Sequence, residues 1–174
     1  MFIYLLKVLV LSEINIILFE IISMELTLNK IEDPYTMELL DEKGKKCIMD
    51  ASASMGANDR GMTPMQLLAG ALVGCMSIDV LMILRKQKEE PAHYKVKIDA
   101  YKNPDAVPSP FEKIHLIFEI NNAVSIKKID RAIKLSLDKY CSVRASLSEK
   151  IKITYDIVTA VSYTHLTLPT KRIV

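Results

Sequence analysis

The stretch from Thr63 to Lys86 narrows the possible folds more than any other part of the chain. Thr63-Pro64-Met65-Gln66 sets a hydroxyl at the capping position, proline at the first helical position and glutamine at the third. That is a capping box with its proline in the favoured slot. The run that follows is apolar nearly all round until Arg85-Lys86-Gln87-Lys88-Glu89-Glu90. A helix apolar on every side is a buried one, so the pattern predicts a core helix from Pro64 to about Lys86. Gly70, Ala71 and Gly74 leave room for another backbone to come close. Its length would also suit a membrane span, but Gln66 and Asp79 argue against that. Arg85–Lys88 reads as the solvated end, with cations complementing the helix dipole.

On both sides of this helix the period is two. Met24–Asn29, Tyr35–Leu40 and Lys45–Asp50 read as short strands, with a hairpin turn at Asp41–Gly44 and a loop at Ala51–Gly61. After Pro91, Tyr94, Val96, Ile98 and Ala100 alternate with polar residues, and beyond a proline-bearing loop Ile114, Leu116, Phe118 and Ile120 share a face. These two runs read as antiparallel neighbours with one face covered. Ser125 then opens a second helix with a stripe of Ile126, Ile129, Ile133, Leu137 and Tyr140, on which Cys141 also falls. A last strand turns Ile151, Ile153, Tyr155 and Ile157 inward. The order βββ-α-ββ-α-β predicts an α+β fold, two main helices packed on an antiparallel sheet.

The ends share none of this patterning. Residues 1–23 are rich in Ile, Leu, Phe and Val but interrupted by Lys7, Glu13, Asn15 and Glu20. They are long enough to span a bilayer, yet two glutamates, one early cation and the lack of a cleavage site fit neither a span nor a secretory signal. They read as an upstream extension with the working start at Met24, the alternative being an apolar membrane or targeting segment. Residues 161–174 resemble translated adapter read-through, which leaves Met24–Ala160 as the domain.

A net charge of +2, from 23 basic and 21 acidic residues, demands neither nucleic acid nor an anionic membrane. Three cysteines without a C-x-x-C pair make poor material for a zinc site or a disulfide scaffold. They fit a cytoplasmic chain with one or two working thiols, and no metal or cofactor is expected. Cys47 sits in a strand-like run and reads as a structural thiol, while Cys75 and Cys141 admit both a packing and a redox role. His93 and His115 are isolated, which gives a Cys–His hydrolase little support. Met62, Met65, Met76 and Met82 are candidates to line an apolar pocket.

Two motifs carry a resemblance. Gly61-Met62-Thr63-Pro64-Met65-Gln66-Leu67-Leu68 followed by Gly74-Cys75-Met76-Ser77-Ile78-Asp79-Val80-Leu81 resembles the first cysteine helix of OsmC/Ohr proteins. Asp138-Lys139-Tyr140-Cys141-Ser142-Val143 resembles their second cysteine motif. The chain is most similar to the YhfA-type branch. The resemblance implies an intertwined homodimer that reduces organic hydroperoxides, with Cys75 attacking the peroxide and Cys141 resolving the sulfenic acid as a disulfide. It further implies a small hydrophobic peroxide as substrate and an external dithiol as reductant; the balanced charge adds no call for nucleic acid, and the polar residues within the apolar runs argue against a membrane partner. The hydroperoxide-resistance enzymes carry a glutamate after the helix-opening proline, which orients an arginine; here that residue is Met65, so the pair does not carry over. Arg60, in the preceding loop, is the candidate cation. Asp79 lies one turn beyond Cys75, where its charge would oppose a thiolate unless a cation offsets it. The alternative from another class is a binding or redox-sensing protein that holds a small hydrophobic ligand in the same pocket.

Overall fold

The computed structural model describes residues 24–121 and 124–160. The expected upstream extension at 1–23 and the expected artefact tail at 161–174 lie outside the described residues. The chain forms two compact units that divide after Pro64.

In the first unit, β1 (Leu26–Glu32), β2 (Thr36–Asp41) and β3 (Lys46–Met49) form an antiparallel meander in the order β1-β2-β3. The hairpin expected at Asp41–Gly44 is present: the Gly44 N–H donates to the Asp41 carbonyl at 3.0 Å, with Gly44 at φ +75°, a left-handed conformation that glycine adopts at no steric cost. A short 3-10 turn, Ala53–Met55, interrupts the loop that follows. This loop is tied down by Asp50, which is buried and accepts from Thr36 Oγ1 (3.1 Å), the Arg60 N–H (3.1 Å) and the Ala51 N–H (2.8 Å). At Gly61 the backbone runs so close to β3 that a Cβ would sit 2.5 Å from the Ile48 carbonyl oxygen.

The second unit holds the hydrophobic core. It comprises α1 (Pro64–Lys86), β4 (Tyr94–Lys102), β5 (Phe111–Asn121), α2 (Ile126–Leu135), a π-turn (Ser136–Tyr140), α3 (Ser142–Ser146) and β6 (Lys152–Ala160). The α+β class and the helix and strand positions expected from the sequence are those observed. The sheet differs in one respect. β4 pairs antiparallel with β5, whereas β6 pairs parallel with β5, so the sheet β4-β5-β6 is mixed. The reason is topological: α2 carries the chain back along the sheet, so the next strand starts at the same end as β5.

Ile114, Leu116, Phe118 and Ile120 of β5 are fully buried, as their alternation requires. Phe118 meets Tyr94 and Tyr155 edge-on, at 6.3 Å between ring centroids in both cases, a favoured geometry for aromatic pairs. The Tyr155 hydroxyl donates to Asp130 Oδ1 at 2.7 Å and so ties β6 to α2. Lys128 of α2 pairs with Glu89, just beyond the end of α1.

α1 is buried along one stripe only, Ala69, Leu72, Met76, Val80 and Leu84. The sequence led us to expect burial on every side; instead Ile78 is 62% exposed and Leu68 and Leu81 are 38% exposed. The sheet has one face to offer and covers one side of the helix. By length and composition α1 also meets the requirement for a membrane span.

Replacing Gly61 by alanine forces its Cβ against the β3 backbone rather than against a movable side chain. Urea denaturation of Gly61→Ala is expected to give a loss of about 1–3 kcal/mol; unchanged stability would mean that the loop shifts freely.

Candidate active site

Cys75 and Asp79 lie one turn apart on α1, a spacing that puts their side chains on one face. Both are half-buried, on the flank of the core stripe. Cys141 arrives from the second helical segment by an irregular route. After α2 the chain widens into the π-turn, closed by the Cys141 N–H donating to the Ser136 carbonyl at 2.9 Å. A turn with one extra residue shifts the register of everything after it. Ser136 is therefore fully buried and Cys141 only 3% exposed, while Tyr140, expected on the apolar stripe, is 49% exposed. Ile126 of that stripe, in the first turn, is exposed as well. Cys141 itself is extended (φ −70°, ψ 101°) and caps α3, its Sγ accepting from the Arg144 N–H at 3.3 Å.

The result is a compact constellation. Cys75 Sγ, Cys141 Sγ and an Asp79 carboxylate oxygen all lie within 4.8 Å of one another, and both thiols are free. Ser136 Oγ donates to Asp79 Oδ2 at 2.8 Å. Ser136 escaped the sequence reading because it sits between two leucines in what looks like regular helix. The available signal was a serine three residues beyond Ile133, on the buried face of the stripe.

Burial, and after it the neighbouring Cys75 sulfur, push the Cys141 thiol up to about 11, against the smaller opposing effect of the Arg144 and Val143 N–H groups. Cys141 therefore stays protonated at neutral pH. Beside Asp79 opens a cavity of about 440 Å³, lined among others by Met82, Ile83, Leu135 and Tyr140, with Lys86 as its cation. Of the methionines expected around a pocket, Met82 lines this one. Met76 is fully buried in the core, Met65 packs against that core, and Met62 belongs to the first unit. Arg60 also belongs to the first unit, where its Nε faces Glu32 Oε2 at 3.6 Å. Lys86 lies exposed in the last turn of α1, as expected, and also lines this pocket two turns beyond Asp79.

Fold and site together define an α+β protein with a paired-thiol centre between its two main helical segments. Residues 56–156 match the OsmC-like protein family model. The chain is 32% identical over 120 residues to protein YhfA of Escherichia coli K12, an alignment that covers 67% of this chain and 86% of that protein. A hypothetical protein from Aquifex aeolicus VF5 superposes with a TM-score of 0.66 at 25% identity, covering 79% of this chain and 98% of that one. The organic hydroperoxide resistance protein OhrB of Bacillus subtilis shares the fold with a TM-score of 0.57 at 12% identity, covering 79% and 98%. The chain belongs to the OsmC-like protein family, in its YhfA-like branch.

Two measurements probe the site's electrostatics. A unit charge within about 5 Å at an effective dielectric of about 20 is worth up to about 3 kcal/mol, of which the Ser136 hydrogen bond offsets part. Asp79→Asn should thus speed alkylation of Cys75 by iodoacetamide at pH 7 about tenfold, and an unchanged rate would refute a carboxylate effect on the thiol. For Cys141 the folded-state value lies above its ordinary value of 9.0, so the protonated thiol favours the fold. That contribution is complete below pH 9 and is lost as pH rises towards 11. Between those limits wild-type stability should fall more steeply than that of Cys141→Ala, as read from urea midpoints; parallel curves would contradict the assignment.

Proposed function

We propose that this chain is a thiol-dependent peroxidase for small hydrophobic hydroperoxides, with Cys75 as attacking and Cys141 as resolving thiol. The observation that carries the reading is the approach of two free sulfurs to within 4.8 Å of each other and of Asp79, which also lines a pocket with Met82, Ile83 and Leu135. Relatives of the same fold from Elizabethkingia anophelis and Bacillus subtilis are organic hydroperoxide resistance proteins, which supports a peroxide-related role.

In the first step the Cys75 thiolate attacks a peroxide oxygen. An S–O bond forms, the O–O bond breaks, and the departing alkoxide takes a proton to leave as an alcohol. Cys75 is then a sulfenic acid, oxidised by two electrons. In the second step the Cys141 sulfur attacks that of Cys75, an S–S bond forms, and hydroxide leaves with the Cys141 proton as water. An external dithiol then returns both cysteines to thiols and is itself oxidised to a disulfide.

The division of roles rests on Cys141, whose raised value keeps its proton in place while Cys75 reacts. Cys141 is also the better placed to move, at an extended residue between a π-turn and a five-residue helix, whereas Cys75 is held within 23 helical residues. Closing to a bond of about 2.05 Å requires such movement. Met82, Ile83, Leu135 and Tyr140 would receive the alkyl group, and Lys86 would offset Asp79 in the role the sequence offered to Arg60. The active unit is a homodimer, for which the uncovered apolar side of α1, with Leu68, Ile78 and Leu81, supplies the contact. The cycle suits the cytoplasm, where thiols are kept reduced.

The test uses the full chain, reduced and given one equivalent of cumene hydroperoxide, followed by non-reducing peptide mass spectrometry. A Cys75–Cys141 link should form rapidly in the wild type and be absent from Cys75→Ser. Cys141→Ser should stop at a Cys75 sulfenic acid that dimedone traps. Slow oxidation without a specific link would overturn the peroxidase reading and favour a binding or sensing protein that uses the same pocket.

A further inference from the structure

The three acceptor atoms of the site have a second use. From the convergence of two sulfurs and a carboxylate oxygen within 4.8 Å of one another, we infer that the reduced protein captures one thiophilic divalent cation, with zinc as the type ion, on Cys75, Asp79 and Cys141. Zinc holds thiolates at about 2.3 Å and carboxylate oxygens at about 2.0–2.2 Å in a tetrahedron. Ligand atoms on adjacent corners of such a tetrahedron are separated by roughly 3–4 Å, so the observed set needs to contract by about an ångström. Three protein ligands leave a fourth position open towards water, the arrangement of reactive rather than purely structural zinc sites.

The surroundings fit a ligand set. The Ser136 hydroxyl fixes one carboxylate oxygen of Asp79 at 2.8 Å and leaves the other for a metal. The Arg144 N–H, at 3.3 Å, directs the Cys141 sulfur. Such outer hydrogen bonds orient ligands and typically change affinity by 10–100-fold. Two thiolates and a carboxylate exceed the charge of the ion by one, and Lys86 in the adjoining pocket supplies a compensating cation. Binding displaces the two thiol protons to solvent, two per ion, with no change in oxidation state. A bound ion and a Cys75–Cys141 disulfide are mutually exclusive, because the disulfide consumes both thiolates. The same centre would therefore hold metal when reduced and release it when oxidised.

Sequence alone argued against this, since no two of the three cysteines have a zinc-type spacing. The ligands become neighbours only through the packing of α1 against the π-turn.

The experiment titrates Co²⁺ and then Zn²⁺ into the reduced, metal-free full chain, without peroxide or reductant. One equivalent should bind with micromolar or tighter affinity and give a cobalt–thiolate charge-transfer band in the near ultraviolet. Cys75→Ser and Cys141→Ser should each weaken binding at least 100-fold, Asp79→Asn at least tenfold, and Cys47→Ser not at all. In the wild type, zinc should protect Cys75 and Cys141 from alkylation while Cys47 still reacts, a measurement that depends on no variant. Alkylation of Cys75 and Cys141 undiminished by zinc, or affinity unchanged in all three ligand variants, would overturn the inference. A protein that forms the disulfide yet binds no cobalt or zinc would overturn this inference alone and leave the peroxidase reading standing.

Discussion

The second unit depends on one packing event, the burial of a single stripe of α1 in its core. Ala69, Leu72, Met76, Val80 and Leu84 lie on that stripe, and the last four are fully buried. Each large side chain removed from water contributes about 1.5–3 kcal/mol, so the helix is anchored firmly along that line. At 3.6 residues per turn, the positions just before Met76 and Val80 fall about 100° away, at the margin of the buried face. Cys75 and Asp79 occupy them. Met82, Ile83 and Lys86 continue this second line along the helix, and all three line the cavity beside Asp79. One helix thus carries a packing stripe and, beside it, a chemical stripe whose orientation is fixed by the packing.

The partner thiol is delivered by a different principle. Ile129, Ala132 and Ile133 bury the first part of α2 as an ordinary amphipathic helix. Continued at 3.6 residues per turn, the stripe would bring Tyr140 inward. The π-turn replaces this with Cys141, and the same turn aims Ser136 at Asp79. A π-turn is less favourable than regular helix, and such turns cluster at functional sites. Here the return is specific: two groups that act on the α1 stripe, one a thiol and one a hydroxyl.

These two mechanisms explain what was legible in the sequence. Elements with a clean period were read correctly: α1 from its capping pattern, β5 from the alternation of Ile114, Leu116, Phe118 and Ile120, and the hairpin at Gly44. The pairing of Cys75 with Cys141 came from a motif resemblance, because periodicity within either helix carries no information about distance between them. The parallel pairing of β6 was missed because alternation is blind to strand direction. Ser136 was missed, and Tyr140 was placed on the buried stripe together with Cys141, because nothing in Leu135-Ser136-Leu137-Asp138 announces a change of helical period. Lys86 was read correctly as part of the solvated helix end; that it also lines a pocket with Asp79 was not legible, because periodicity does not show where a cavity opens.

Asp79 is the residue on which the chemical readings meet. For thiolate chemistry a carboxylate within 4.8 Å of both sulfurs is a burden, since like charges resist each other. One feature lightens it: the Ser136 hydroxyl, which donates to Asp79 Oδ2 at 2.8 Å and takes up part of the charge. A site built solely to activate a thiol would gain from an apolar or cationic residue at position 79. A carboxylate beside two thiols suits the proposed cation, to which it offers a third ligand atom. Asp79→Asn should accordingly move the two activities in opposite directions, faster for thiol alkylation and weaker for zinc, a pattern that a purely structural role for Asp79 would not produce.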